Sequence, residues 1–133
     1  MIVLDASVVI KWLQEEADSE EARVFKNKHV TGEEVVGVPD LLYYEIANVL
    51  RYKSNLAEAG GLAAMDVLSG LEMQAFNFSP TELKDVYSIA RKYDTTVYDA
   101  LYVYLARQLG CIFVTADKKL YQKIESLKFV TLL

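Results

Sequence analysis

Four apolar residues open the chain, and one carboxylate ends the run. Met1-Ile2-Val3-Leu4 has no polar break, and Asp5 is the only charge before Lys11. An Ile/Val/Leu run of this length reads as a strand buried on both faces, the mark of a parallel sheet. Parallel neighbours need long crossover connections, usually helices, so this stretch already asks for an α/β fold. It also leaves Asp5 just beyond a strand's carboxyl end, where open α/β sheets build their sites.

The rest of the chain supplies the alternation. Val35-Val36-Gly37-Val38, stopped by Pro39, is a second buried strand; Gln74 to Phe78, Cys111 to Val114 and Phe129 to Leu132 are three more. Ser7 is read as the cap of a first helix carrying Val8, Val9, Ile10, Trp12 and Leu13, and Glu15 to Lys28 as a solvated helix before the Thr31–Glu34 turn. Asp40 caps a helix from Leu41 to about Ser54. Ala57 to Glu72 is helical in pattern, with a break or late start expected at Gly60-Gly61, because each glycine weakens a helix by about 1 kcal/mol. Ser79-Pro80-Thr81-Glu82 carries the capping-box signature for a helix ending near Tyr93. Thr95-Thr96 starts another that ends at Leu109-Gly110, and Asp117 opens a short one reaching about Leu127. Strand–helix alternation predicts one domain over residues 1–133, with a parallel sheet and helices on both faces.

Composition narrows the functional classes. Hydrophobic residues make up 53% and charged residues 25% of 133, which supports a packed core. The single cysteine, Cys111, forbids an internal disulfide. No apolar run reaches membrane-spanning length, and the N-terminus lacks the basic region of a signal peptide, so a soluble cytoplasmic protein is expected. A net charge of -5 argues against a simple basic nucleic-acid binder. It leaves room for a nuclease whose carboxylates hold a divalent cation, since the ion inverts the local sign.

Four acids sit where acids are unusual. Asp5 and Asp117 each follow a buried strand. Glu45 lies mid-helix and shares a face with Leu41, Leu42 and Val49, with Asn48 beside it. Asp99 is the only charge from Thr95 to Ala106. Each has a plain structural reading: a turn acid at Asp5, an edge of the apolar stripe at Glu45, an N3 acid behind Thr96 at Asp99, an N-cap at Asp117. Together they read differently. None has a Lys or Arg one turn away on its own helix face. If the four converge, repulsion and desolvation raise their pKa values, and a divalent cation removes the conflict. An all-oxygen donor set selects Mg2+ or Mn2+ over zinc. The only histidine, His29, lies in a charged segment and supports no histidine-based metal site. Ser7 and Thr115 stand two residues from Asp5 and Asp117, placed to hydrogen-bond the carboxylates or a bound water.

On these residues the chain resembles the PIN domain family, and most closely its VapC-type toxins. The pieces are Val3-Leu4-Asp5-Ala6-Ser7 with Lys11-Trp12, Tyr44-Glu45-Ile46-Ala47-Asn48-Val49-Leu50, Thr96-Val97-Tyr98-Asp99-Ala100-Leu101-Tyr102, and Thr115-Ala116-Asp117. The resemblance implies a three-layer α/β/α sandwich with a five-stranded parallel sheet in order 3-2-1-4-5. It implies a ribonuclease that hydrolyses RNA phosphodiester bonds with Mg2+ or Mn2+. The family's acidic quartet maps onto Asp5, Glu45, Asp99 and Asp117 as catalytic residues and metal ligands, with Ser7, Thr115 and Asn48 supporting them. Some relatives carry a further acid after the last motif Asp, where this chain has Lys118 and Lys119. The toxin role implies a cognate antitoxin, and homodimerisation is a family expectation. Lys11, Arg51, Lys53, Lys118 and Lys119 are candidate RNA-backbone contacts, and Tyr98 a candidate for base stacking.

Other readings compete. A haloacid-dehalogenase-type phosphatase also places an Asp after its first strand, but needs a second Asp where Ser7 stands. A receiver-like module needs paired acids there and a phosphorylatable Asp after the third strand, where Ser79 stands. A non-catalytic PIN-like binding module is the remaining alternative.

Overall fold

The computed structural model describes residues 1–133. Five strands form one sheet: β1 Ile2–Leu4, β2 Val36–Pro39, β3 Gln74–Phe76, β4 Ile112–Thr115 and β5 Val130–Leu132. All four pairings are parallel and the spatial order is β3-β2-β1-β4-β5. The order reverses between β1 and β4. Crossovers that keep the usual right hand on either side of such a point put helices on both faces, and the molecule is the expected three-layer sandwich. No helix is long and apolar enough to cross a membrane.

The helices are α1 Ala6–Val9, continued by a tight turn Ile10–Trp12; α2 Ser19–Val30; α3 Leu41–Tyr52; α4 Glu58–Gly70; α5 Glu82–Tyr93; α6 Val97–Leu109; and α7 Lys118–Ile124. Helix α6 is the centre of the core. Every residue from Ala100 to Ala106 is buried, and the helix packs on β1, β2 and β4. Val3, Leu4, Val38 and Phe113 are fully buried beneath the helical layers. That double covering is why the central strands read as apolar runs, whereas the edge strands β3, Gln74-Ala75-Phe76, and β5, Val130-Thr131-Leu132, are more exposed.

Several local expectations shift. Asp5, not Ser7, caps α1: its carboxylate accepts hydrogen bonds from the Ser7 and Val8 amides. Residues 15–18 precede α2 rather than belonging to it, because Lys11 anchors them; its ammonium donates to Glu16 Oε2 (3.1 Å) and to the Ala17 carbonyl (2.8 Å). Helix α4 runs unbroken through Gly60 and Gly61. Its buried Ala64 and Leu68 show tertiary packing overriding glycine's weak propensity. Pro39 closes β2 from within, in register with Phe76. The box at α5 forms as read: the Ser79 amide donates to Glu82 (2.8 Å) and the Glu82 amide to the Ser79 hydroxyl (3.3 Å).

Candidate active site

The register fixes the floor of the site. Leu4 pairs with Val114, so Asp5, just past β1, stands beside Thr115, the last residue of β4, at the point where strand order reverses. Both neighbouring strands then turn into a helix capped by an acid. Asp5 Oδ1 accepts from the Ser7 amide (3.0 Å), the Val8 amide (3.3 Å) and the Ser7 hydroxyl. Asp117 Oδ1 accepts from the Lys119 (2.9 Å) and Leu120 (3.0 Å) amides. The capping reading and the cavity reading therefore coexist: capping is what aims each carboxylate. The two hydroxyls tie the strand ends together. Ser7 Oγ also accepts from the Ala116 amide (2.8 Å) and lies 3.4 Å from Thr115 Oγ1, which accepts from the Asp117 amide (3.0 Å).

Two helices close the walls. Asp5, Ser7, Glu45, Lys53, Asp99, Tyr102 and Asp117 line one cavity of about 320 Å³. Glu45 and Val49 from α3 and Lys53 at its C-cap enter it at four-residue spacing, and Asp99 and Tyr102 from α6 at three, so each helix presents one face. Thr96 caps α6 by accepting from the Asp99 amide (3.0 Å), which sets Asp99 on the first turn, at the cavity. Glu45 meets α6 directly: the Tyr102 hydroxyl donates to Glu45 Oε2.

The electrostatics follow from burial and repulsion. Asp5 is 6% exposed, and burial pushes its carboxyl up to about 6 against hydrogen bonds from Ser7, Thr115 and the Val8 amide; the Asp99 charge adds to the rise. Glu45 is raised by burial, opposed by the Tyr102 hydroxyl, and raised further by Asp99. Asp99 is raised by burial, opposed by the Thr96 hydroxyl, then raised by Asp117 and lowered by Lys123. None of the five ion pairs in the molecule involves any of these four acids.

The donor set fits a hard divalent cation in kind. It is all carboxylate, buried at Asp5, half-buried at Glu45 and Asp99 and exposed at Asp117, unpaired with any ammonium or guanidinium, and free of histidine and thiol. In Asp5, Glu45 and Asp117 the protein's hydrogen bonds gather on one oxygen of each carboxylate. As the side chains stand, no three acidic, histidine or cysteine groups form a ready cage for one ion.

Comparison with known proteins agrees with this geometry. The family model described as PIN domain matches residues 2–125. The chain belongs to the PIN domain family. Among curated relatives, Ribonuclease VapC3 of Pyrobaculum aerophilum is 32% identical over 134 residues, covering 95% of this chain and 96% of that protein. Among solved structures, the sarcin–ricin-loop-cleaving toxin VapC20 of Mycobacterium tuberculosis superposes with a TM-score of 0.71 at 14% identity, covering 98% of this chain and 97% of that one. VapBC2 of Rickettsia felis, bound to a DNA fragment from its promoter, gives 0.69 at 12% identity, covering 100% and 98%.

Not every residue singled out in the sequence reaches the cavity of this PIN domain. Lys11 is a correction: it is 8% exposed and committed to Glu16 and Ala17, so it is a structural anchor rather than an RNA contact. Asn48 is exposed on α3 and does not line the cavity. Arg51 stacks over the Tyr52 ring at 4.7 Å and lines a separate apolar groove with Leu50, Leu56, Leu62 and Met65. Lys118 and Lys119 are exposed beside Asp117, and Tyr98 is exposed beside Asp99. Tyr102 lines the cavity, although the sequence reading quoted it only as the end of the Thr96–Tyr102 piece and gave it no role; its spacing three residues after Asp99 was the available signal. His29 is half-buried, not merely surface: its Nε2 bonds the Leu71 carbonyl (2.8 Å), and its Nδ1 accepts from the Val36 amide (3.3 Å), tying α2 to β2 and the end of α4.

Proposed function

We propose that this PIN-domain protein is an endoribonuclease that depends on Mg2+ or Mn2+ and serves as the toxin of a toxin–antitoxin pair. The observation that carries the chemistry is the convergence of four carboxylates, from four separate segments, on one cavity beyond the β1/β4 strand ends. The relative named Ribonuclease VapC3 supports hydrolysis of RNA. The neighbours solved as toxin–antitoxin assemblies support an antitoxin partner, and a homodimer fits the same family.

Asp5, Asp99, Asp117 and Glu45 would hold the cation. When bound, it supplies charge compensation for a phosphate oxygen and acidifies water for attack on phosphorus. The protein's own share is orientation. Asp5 and Asp117 are fixed by helix caps, and Ser7 and Thr115 lock the two strand ends against each other, so the carboxylates keep their separation as substrate arrives. Lys53 at the cavity, with Lys118 and Lys119 outside it, offers positive charge to the RNA backbone on a molecule that is otherwise net negative.

The deciding experiment is cleavage of RNA by purified protein with Mg2+ and with EDTA. Asp5→Asn and Asp99→Asn are each expected to lower the rate by at least about 1000-fold, the scale of losing a residue that stabilises developing charge, with circular dichroism unchanged. Full activity in either variant overturns the assignment. Cation binding without cleavage of any RNA would favour the non-catalytic module instead.

A further inference from the structure

The three carboxylates held by hydrogen bonds in the cavity meet their donors in two different ways. Asp5 and Asp117 stand at helix starts, where backbone amides have no helical partner and are free to donate. Glu45 stands in the middle of α3, where every nearby amide is committed to the helix ladder. Nothing in its own backbone can fix its long side chain. The donor comes instead from another helix: the hydroxyl of Tyr102 on α6.

Tyr102 is built to hold still. It is 1% exposed, and its ring stacks nearly parallel on Phe113 of β4, with centroids 5.9 Å apart and planes 11° apart. Phe113 is itself fully buried. The ring has only two side-chain torsions, and both are confined by this packing. Its hydroxyl therefore reaches Glu45 from a fixed point that also belongs to the helix carrying Asp99.

We propose that Tyr102 is a positioning residue: by taking Glu45 Oε2, it leaves Oε1 as the one oxygen that Glu45 offers the cavity. The inference rests on the metal-dependent nuclease reading of the same site. It extends to Glu45 what the caps do for Asp5 and Asp117, where the hydrogen bonds likewise collect on a single oxygen. A merely structural account would have Glu45 serve Tyr102, as an acceptor for a buried phenol. The two accounts part when the hydroxyl alone is removed.

Tyr102→Phe keeps the ring and the stack and deletes the donor. Four proteins are compared: wild type, Tyr102→Phe, Glu45→Gln and the double variant. Mn2+ binding is read without RNA from the free-ion paramagnetic resonance signal, and kcat and KM are read from RNA cleavage. Tyr102→Phe is expected to weaken Mn2+ binding or kcat by about 10- to 100-fold, the usual range for a residue supporting a metal ligand, with KM within about twofold. In the Glu45→Gln background the same change should add nothing. Unchanged binding and cleavage in Tyr102→Phe would overturn the inference. So would an equal loss in both backgrounds, because Tyr102 would then act through something other than Glu45. A wild type that neither binds Mn2+ nor cuts RNA overturns the nuclease reading itself, a different result from losses confined to the tyrosine arms.

Discussion

Three helices in this molecule, α1, α5 and α7, start on acids that hydrogen-bond backbone amides, and at two of them, Asp5 on α1 and Glu82 on α5, the difference in burial leaves the carboxyls shifted in opposite directions. At α5, Glu82 lies at the surface, and its bonds to the amide and hydroxyl of Ser79 hold its carboxyl below the usual range. At α1, Asp5 accepts two amides and a hydroxyl, which by themselves would lower it as well. It is nonetheless pushed up to about 6, because burial outweighs all of them. A cap that only started a helix would gain by facing water, as Glu82 does. The buried cap carries a charge that burial disfavours, an excess that starting a helix does not account for.

The largest effect on stability should come from relieving that excess. The native carboxyl of Asp5 binds its proton more tightly than the unfolded one, whose pKa is 3.8. Its contribution to stability is therefore fully present below about pH 4, is lost as pH rises toward 6, and stays lost above. A rise to about 6 corresponds to about 3 kcal/mol at neutral pH. Glu45 and Asp99 are raised too and act in the same sense. In EDTA, urea unfolding of wild type should show stability falling between pH 4 and 6. Asp5→Asn, which keeps an acceptor for the Ser7 and Val8 amides, should flatten that fall and be more stable than wild type at pH 7 by up to about 3 kcal/mol. A variant less stable than wild type at pH 7 would mean that the carboxylate is a net asset to the empty fold, and the contrast with Glu82 would collapse.

A cation should reverse the ranking. Mg2+ at about 100 times its dissociation constant adds about 2.7 kcal/mol to a protein that binds it only when folded. Thermal unfolding with increasing Mg2+ should raise the midpoint of wild type and leave Asp5→Asn and Asp99→Asn nearly unmoved. Equal shifts in all three would place the ion elsewhere and leave the raised pKa of Asp5 without a purpose.

How much of this was readable in the chain depends on whether the cause was local. The central strands follow from apolar runs, Ile2-Val3-Leu4, Val35 to Val38 and Ile112-Phe113-Val114, their parallel pairing from the strand–helix alternation, and the α5 box from four consecutive residues. The acids were legible because none has a Lys or Arg one turn away on its own helix face, a property of sequence spacing alone. What stayed hidden was set by distant partners. Nothing near Lys11 announces that residues 16 and 17 fold back onto its ammonium, so it looked like a free charge. Nothing in the apolar stretch around Tyr102 says that its hydroxyl, 57 residues from Glu45, points at a carboxylate. Helix α4 ignores its glycines because Ala64 and Leu68 are buried by the rest of the fold. His29 is fixed by the Leu71 carbonyl, 42 residues away.

The smallest effect tests the solvated side of the comparison. Ser79→Ala removes the hydroxyl that accepts the Glu82 amide and leaves that donor to water. Loss of a serine cap lowers stability by about 1 kcal/mol, or a few degrees in melting temperature for a chain of this size. Because Ser79 is exposed, Glu82 is half-buried and neither lines the cavity, cleavage and Mg2+ binding should stay as in wild type, and the loss should be the same with and without the ion. A melting shift that grows when Mg2+ is added would couple α5 to the cavity and blur the division between a cap that serves the helix and one that serves the site. An unchanged increment would keep them separate, and would show that hydrogen bonds of the same kind stabilise at the surface while, at Asp5, they only hold in place a charge that burial disfavours.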